Sequence, residues 1–136
     1  MRTYIVAAGV VIENGKVLLS RRKEGSHLAG RWEFPGGKAE AGEDPRAALR
    51  RELEEELGIH TTVGAVAEVT FHRYDDADKA VLLLFYFATR EPGSPEPQAL
   101  DVAELRWADA TALDPAEFPP ADVAILAKVR GLLTKV

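Results

Sequence analysis

The chain contains no cysteine. Disulfides, thiolate metal sites and cysteine nucleophiles are therefore excluded, and any metal ion has to be held by oxygen or by one of the three histidines. An excess of positive charge is missing too. With 17 Lys and Arg against 22 Asp and Glu, the net charge of −5 argues against a general nucleic-acid-binding face. It leaves room for a nucleotide pocket, where a few local cations suffice. No apolar run is long enough to span a bilayer; the longest early one, Tyr4 to Ile12, ends at a turn signal. Arg2 and Ala7-Ala8-Gly9 have some character of a signal peptide, yet Glu13-Asn14-Gly15 and a second apolar run, Val17 to Leu19, follow like a hairpin between strands. The expectation is a cytoplasmic protein without a targeting segment, acting on neither membrane nor nucleic acid. No internal repeat and no Gly-x-Ser-x-Gly elbow is present.

What is there has the composition of an ordinary globular protein, 46% hydrophobic and 29% charged, and 136 residues suit a single domain over 1–136. Tyr4 to Ile12 and Lys16 to Arg22 read as strands joined at Asn14-Gly15, a strong two-residue hairpin signal. A polar loop runs from Arg21 to Gly30, and the short strand Trp32 to Phe34 stops at Pro35-Gly36-Gly37. Asp44 as N-cap, Pro45 at the first helical position and Gly58 just past the end punctuate a helix. Its Leu49, Leu53 and Leu57 form an apolar stripe. Thr61 to Thr70 and Ala80 to Thr89 read as strands, the second so apolar that it is expected to be central. Glu91 to Pro97 is a proline-rich loop, Leu105 to Trp107 a last short strand and Pro120 to Leu133 a closing helix facing the core with Val123, Leu126, Ala127, Val129 and Leu133. Strands alternating with two helices indicate an α/β sandwich.

The helix ends in Arg51-Glu-Leu-Glu-Glu-Glu-Leu-Gly58, four glutamates in five positions. Glutamate-rich helices are usually just solvated surface. Here Glu52 shares one side of the helix with Glu55 and Glu56, where like charges repel. Anions near a helix C-terminus also oppose its dipole, each by a few tenths to about 1 kcal/mol. A divalent cation reverses the sign of both costs. Clustered carboxylates without thiolate suit a hard ion, Mg2+ or Mn2+, and Mg2+ favours phosphate substrates. Arg21-Arg22-Lys23 and Lys38 supply the complementary charge.

Gly37, five residues, Glu43, seven residues, then Arg51-Glu52-Leu53-x-Glu55-Glu56-x-Gly58-Ile59 resembles the box of the Nudix family at each of nine specified positions in 23 residues. Trp32-Glu-Phe-Pro-Gly-Gly37 and Phe118-Pro-Pro-Ala-Asp122 resemble segments of its MutT branch, so the likeness runs over nearly the whole chain. The resemblance implies an α/β/α sandwich with a mixed central β-sheet. It also implies a metal-dependent hydrolase splitting a nucleoside triphosphate into monophosphate and pyrophosphate. By the same resemblance Glu52, Glu55 and Glu56 bind metal with the carbonyl of Gly36 or Gly37 close by. Arg51 orients a catalytic carboxylate, Glu43 braces the junction of loop and helix, and Glu54 is left to solvent. Asp101, six residues before Trp107, is the candidate general base, with Glu55 and Glu104 as rivals. Tyr4, Val6, Arg22, Phe34, Tyr74 and Asp122 are the candidate nucleoside contacts.

Asp122 bears on the choice of base. Relatives favouring 8-oxo-dGTP can carry asparagine there, whose amide both donates and accepts, whereas an ionised aspartate only accepts and suits an exocyclic amine such as cytosine N4. Both substrate types stay open. Tyr74 keeps a dinucleoside polyphosphate in view, and the absence of proline between Gly58 and Glu91 weakens an ADP-ribose reading. A non-catalytic binding module would be expected to have lost glutamates from the box, and this chain keeps them. His27 and His72 show no paired metal-ligand spacing and are expected at the surface. Monomer and homodimer are both open.

Overall fold

The computed structural model describes residues 1–134. The first apolar run divides near Val11: strand β1 (Arg2–Val10) ends there, and β2 (Ile12–Glu13) enters a different sheet. Asn14 (φ 52°) and Gly15 (φ 74°) make the tight turn into β3 (Lys16–Arg21), with Ile12 opposite Val17. Next come β4 (Trp32–Glu33) and β5 (Gly36–Lys38). The glycine pair is thus a strand, not the expected loop. Gly36 lies opposite Ala8, where any Cβ would meet the Ala7 carbonyl oxygen at 2.0 Å.

Helix α1 (Pro45–Leu57) has the expected ends. Asp44 Oδ1 accepts the Arg46 N–H at 2.8 Å, and Gly58 closes it at φ 71° with its N–H on the Glu54 carbonyl. After it come β6 (Thr61–Tyr74), β7 (Lys79–Arg90), β8 (Glu104–Ala108) and α2 (Val123–Leu133). The closing helix starts three residues later than expected, because Pro119 and Pro120 hold Pro120–Asp122 in a 3-10 turn. That shift turns Val123 and Ala127 outward and puts Ile125, Leu126 and Val129 in the core.

One sheet has the order β5-β1-β7-β6, with β1 and β7 parallel and the other pairs antiparallel. As expected, β7 is internal. Successive residues of β1 face opposite sides. Ala7 packs with Leu49, Leu53 and Leu57 of α1, while Ala8 packs with Ile125, Leu126 and Val129 of α2. The mixed sheet between two helices is the α/β/α arrangement read from the sequence. A second, antiparallel sheet of β2, β3, β4 and β8 was not legible there. Among the described residues, no helix is long and apolar enough to cross a membrane.

Candidate active site

The Leu49-Leu53-Leu57 stripe seats α1 on the sheet, with Glu52 and Glu56 on its half-buried flank and Glu55 exposed. Arg51 holds this region together. Its Nε and Nη2 donate to both oxygens of Glu43 at 2.9 Å, Nη1 donates to Glu52 at 2.9 Å and to Glu55 at 3.3 Å, and Nη2 reaches the Lys38 carbonyl. Glu43 also accepts the Glu40 N–H. The Arg51 hydrogen bonds, then the Glu40 amide, hold the Glu43 carboxyl down at about 2. Glu43 thus ties the backbone of the loop at Glu40 to Arg51 of the helix.

Glu52 lies flat against β5, where a Cβ on Gly37 would come within 2.5 Å of its carboxyl carbon. Beside it stands Glu56, pushed up to about 9 by burial first, then by a hydrogen bond and charge repulsion from Glu52, with Glu33 and Asp101 adding to it. Two carboxylates that share a proton are a fit for a divalent cation, which would take that proton's place. An acidic cleft of about 230 Å3 is lined by Glu52, Glu56, Glu33, Asp101, Gly36 and the basic Arg22 and Lys23. Among the described residues, no three carboxylate or histidine side chains converge on one point at metal-ligand spacing.

Glu55 does not line the cleft; it is exposed and turned toward Arg51. Asp101 does line it, paired with Lys23. Its backbone N–H and that of Leu100 both donate to the Glu56 carbonyl, at 3.1 and 3.0 Å, satisfying the helix end. Glu104 is drawn off to Arg21. Glu54 points to solvent, 3.9 Å from His60.

On the α2 side of the sheet a second cavity of about 240 Å3 opens. Val6, Phe34, Val81, Leu83 and Phe85 form its apolar walls, and Phe34 meets Phe85 edge to face at 5.7 Å. The candidate contacts Arg22, Tyr74 and Asp122 line it, and so does Lys38. Tyr4 does not; it lies under Lys38, whose Nζ is 4.1 Å from the ring centre. Asp122 is 3% exposed and is pushed up to about 8, by burial first and then by Glu33, against the pull of Arg22. It is therefore a neutral acid at neutral pH. No side-chain hydrogen bond to its carboxyl is present among the described residues, so donor and acceptor are both available to a ligand.

Three titratable lining residues escaped the sequence reading. Glu33 lines both cavities, as do Arg22 and Gly36. It receives the Arg22 Nη1 at 2.9 Å, and burial raises its carboxyl. Only its place between Trp32 and Phe34 could have pointed to it. Lys79 lines the pocket mouth, its ammonium pulled down by burial and by Lys38 and Arg22. His27, expected at the surface, lines the pocket with its ring 5.0 Å from Tyr74 and Nε2 3.3 Å from Asp76.

The NUDIX domain model matches residues 3–129. The chain is 34% identical over 133 residues to an 8-oxo-dGTP diphosphatase of Escherichia coli K12, covering 97% of this chain and 100% of that one. It is 52% identical over 64 residues, 47% of each chain, to a CTP pyrophosphohydrolase of the same organism. The solution structure of the E. coli ORF135 protein superposes with a TM-score of 0.79 at 34% identity, covering 98% of this chain and 93% of that one. Nudix hydrolases generally use a divalent metal. A family match over nearly the whole length, a relative covered end to end and a shared fold agree with the box around α1: this chain belongs to the NUDIX family.

Proposed function

We propose that the chain is a Mg2+-dependent nucleoside triphosphate pyrophosphohydrolase, which binds the nucleoside in the pocket ending at Asp122 and the phosphates in the acidic cleft. The observation that carries this reading is the continuity of the two cavities through Arg22, Glu33 and Gly36. The similarity to an 8-oxo-dGTP diphosphatase and to a CTP pyrophosphohydrolase supports it.

Glu52 and Glu56, the Gly36 or Gly37 carbonyl and, once released from Arg51, Glu55 would hold the metal. A bound Mg2+ supplies Lewis acidity toward the phosphates and lowers the pKa of the attacking water. Water attacks the β-phosphorus, the bond to the bridging oxygen breaks, and nucleoside monophosphate and pyrophosphate leave. Asp101, paired with Lys23, takes the water's proton. Arg51 fixes the glutamates and Arg22 meets the phosphates. A panel of nucleotides with Mg2+, scored for both pyrophosphate and orthophosphate, tests this. Failure to turn over any triphosphate sinks it, and orthophosphate alone moves the point of cleavage.

The base follows from the protonation of Asp122. As a neutral acid it donates to a keto oxygen and accepts an N–H, the pattern of the 8-oxoguanine edge; ionised, it suits the amine of cytosine. Glu33, Arg22 and Tyr74 are the other titratable or charged groups around it. Relative kcat/KM for 8-oxo-dGTP over CTP is expected to fall as pH rises through about 8, the folded-state value of Asp122. Ionisations in the acidic cleft affect both substrates and cancel in the ratio. Asp122→Asn should favour 8-oxo-dGTP at every pH and remove the dependence; an unchanged ratio would refute the assignment.

A further inference from the structure

Strand β6 is the outer strand of the mixed sheet, and the two halves of its free edge are treated differently. In the first half the register shifts between Val63 and Glu68, Arg46 Nε donates to the Gly64 carbonyl, and Lys128 Nζ donates to the Ala67 carbonyl. Irregularity and basic side chains are what sheet proteins use to blunt an edge. The second half, Val69 to Arg73, has no such cover among the described residues. Its Val69 N–H is not used by β7 and folds back onto the Glu68 carboxylate at 3.2 Å. That N–H therefore points outward, and strand alternation sends the peptide groups of Phe71 and Arg73 the same way.

The same stretch is apolar where it is exposed. Phe71 is 58% exposed, Val69 50% and Ile5 43%, all on the sheet face that α1 leaves uncovered. Register places them in rows across three strands: Ile5, Leu82 and Phe71 in one, Ala7, Leu84 and Val69 in the next.

We propose that this half-edge is a self-association surface, on which β6 of a second copy pairs antiparallel about a two-fold axis through Thr70. Residues whose numbers sum to 140 are then opposite. Val69 meets Phe71 of the second copy in a hydrogen-bonded pair, as the outward peptide groups require. Glu68 meets His72 of the second copy in a close, non-hydrogen-bonded pair, so the carboxylate leaves its own edge for a complementary partner. The two apolar rows join end to end, Ile5-Leu82-Phe71 running into Val69-Leu84-Ala7 of the second copy. Shifting the register by two residues instead puts Val69 opposite Arg73 and leaves Glu68 against Tyr74. A two-fold contact of this kind is closed, one edge covering the other. The apolar rows lie on the α1 face of the sheet and the nucleoside pocket on the α2 face, with His72 alone of the paired residues packed on the pocket residue Tyr74, so either reading can fail alone.

The chain's lack of cysteine makes the test clean. In Thr70→Cys the paired Cα atoms would be about 4.5 Å apart, within disulfide range. Mild oxidation should give a covalent dimer, while Thr62→Cys on the same strand should not. Sedimentation of the wild type should show a dimer of the 14.8 kDa chain. Phe71→Arg, at an exposed position, should weaken it ~10-fold or more without loss of triphosphate turnover. A wild type that stays monomeric at its highest soluble concentration overturns the proposal. So does a dimer indifferent to Phe71→Arg, or cross-linking at Thr62 in preference to Thr70.

Discussion

The acidic cleft and the nucleoside pocket each hold one carboxyl group far above its ordinary range, Glu56 in the first and Asp122 in the second. Burial is the leading cause in both, but the surroundings differ. Around Glu56 stand Glu52, Glu33 and Asp101, so what the cleft lacks is positive charge. Around Asp122 are mostly apolar walls, and what that pocket lacks is a hydrogen-bonding partner. The same raised acidity therefore marks a place for a cation in one cavity and for the edge of a base in the other.

The contrast can be broken most sharply at the cleft. Glu56→Gln should cut kcat ~100- to 1000-fold, a loss of the size seen when a charge-stabilising group is removed. Thermal stability should hold or rise, because an amide replaces an acid that burial already keeps protonated; a clear drop in Tm would make Glu56 structural. Glu55→Gln should cost comparable activity despite its exposed position, with folding stability again holding or rising.

The two neighbouring glycines separate folding from chemistry. Gly36→Ala would drive a Cβ into the Ala7 carbonyl at 2.0 Å, a backbone clash, and the expected readout is a large loss of Tm and soluble yield. Gly37→Ala meets only the end of the Glu52 side chain. It should fold, and lose ~10- to 100-fold in activity as the carboxylate is displaced. Equal damage from both would show that Glu52 is not placed by β5.

Smaller effects belong to the pocket. Glu33→Gln and Lys79→Ala should raise KM several-fold for every nucleotide with kcat less affected, which steady-state kinetics on both substrates would check. Asp122 also sets a stability trend. Its folded-state acidity lies above the ordinary carboxylate value, so the proton is kept by the native state and lost by the unfolded chain between about pH 4 and 8. Its contribution is full below that window and declines as pH rises through it. Asp122→Asn should flatten that decline, giving a modestly higher Tm at alkaline pH.

The two cavities also differ in how far they could be read from the residues. In the cleft, like-charge repulsion and the dipole along α1 point to Glu52 and Glu56, whereas Glu43 and Arg51 follow from the resemblance of the box, and Glu33 and Asp101 come from other elements. The pocket is assembled from β1, β4, β5, β6, β7, the loop after β3 and the turn before α2, brought together largely by sheet register. Lys79 reaches it because it lies opposite Arg2 in the parallel pairing of β1 with β7, which no local pattern encodes. Glu33 was hidden for another reason: its neighbours Trp32 and Phe34 pack into the core, and an alternating strand should send the residue between them to solvent. Glu33 instead lines the same pocket as Phe34, because β4 ends at Glu33 and the alternation stops there. The closing helix starts after Asp122 and not at Pro120, because a proline that suits a first helical position here opens a separate 3-10 turn.

The loop before β8 hangs from the helix it serves. Gln98 N–H donates to the Leu57 carbonyl, and Leu100 and Asp101 N–H donate to that of Glu56. The spacing between the proposed base and the glutamates is thus set by peptide groups at a helix end, as a ruler is set by its fixed stop. The residues from Pro92 to Pro97 bridge the gap and are tied down separately, by the His60 N–H on Ser94 Oγ and by Arg90 on the Pro95 carbonyl. Insertions there should lengthen the span without moving Asp101, making that stretch a natural place to attach a reporter or a tether to a working enzyme.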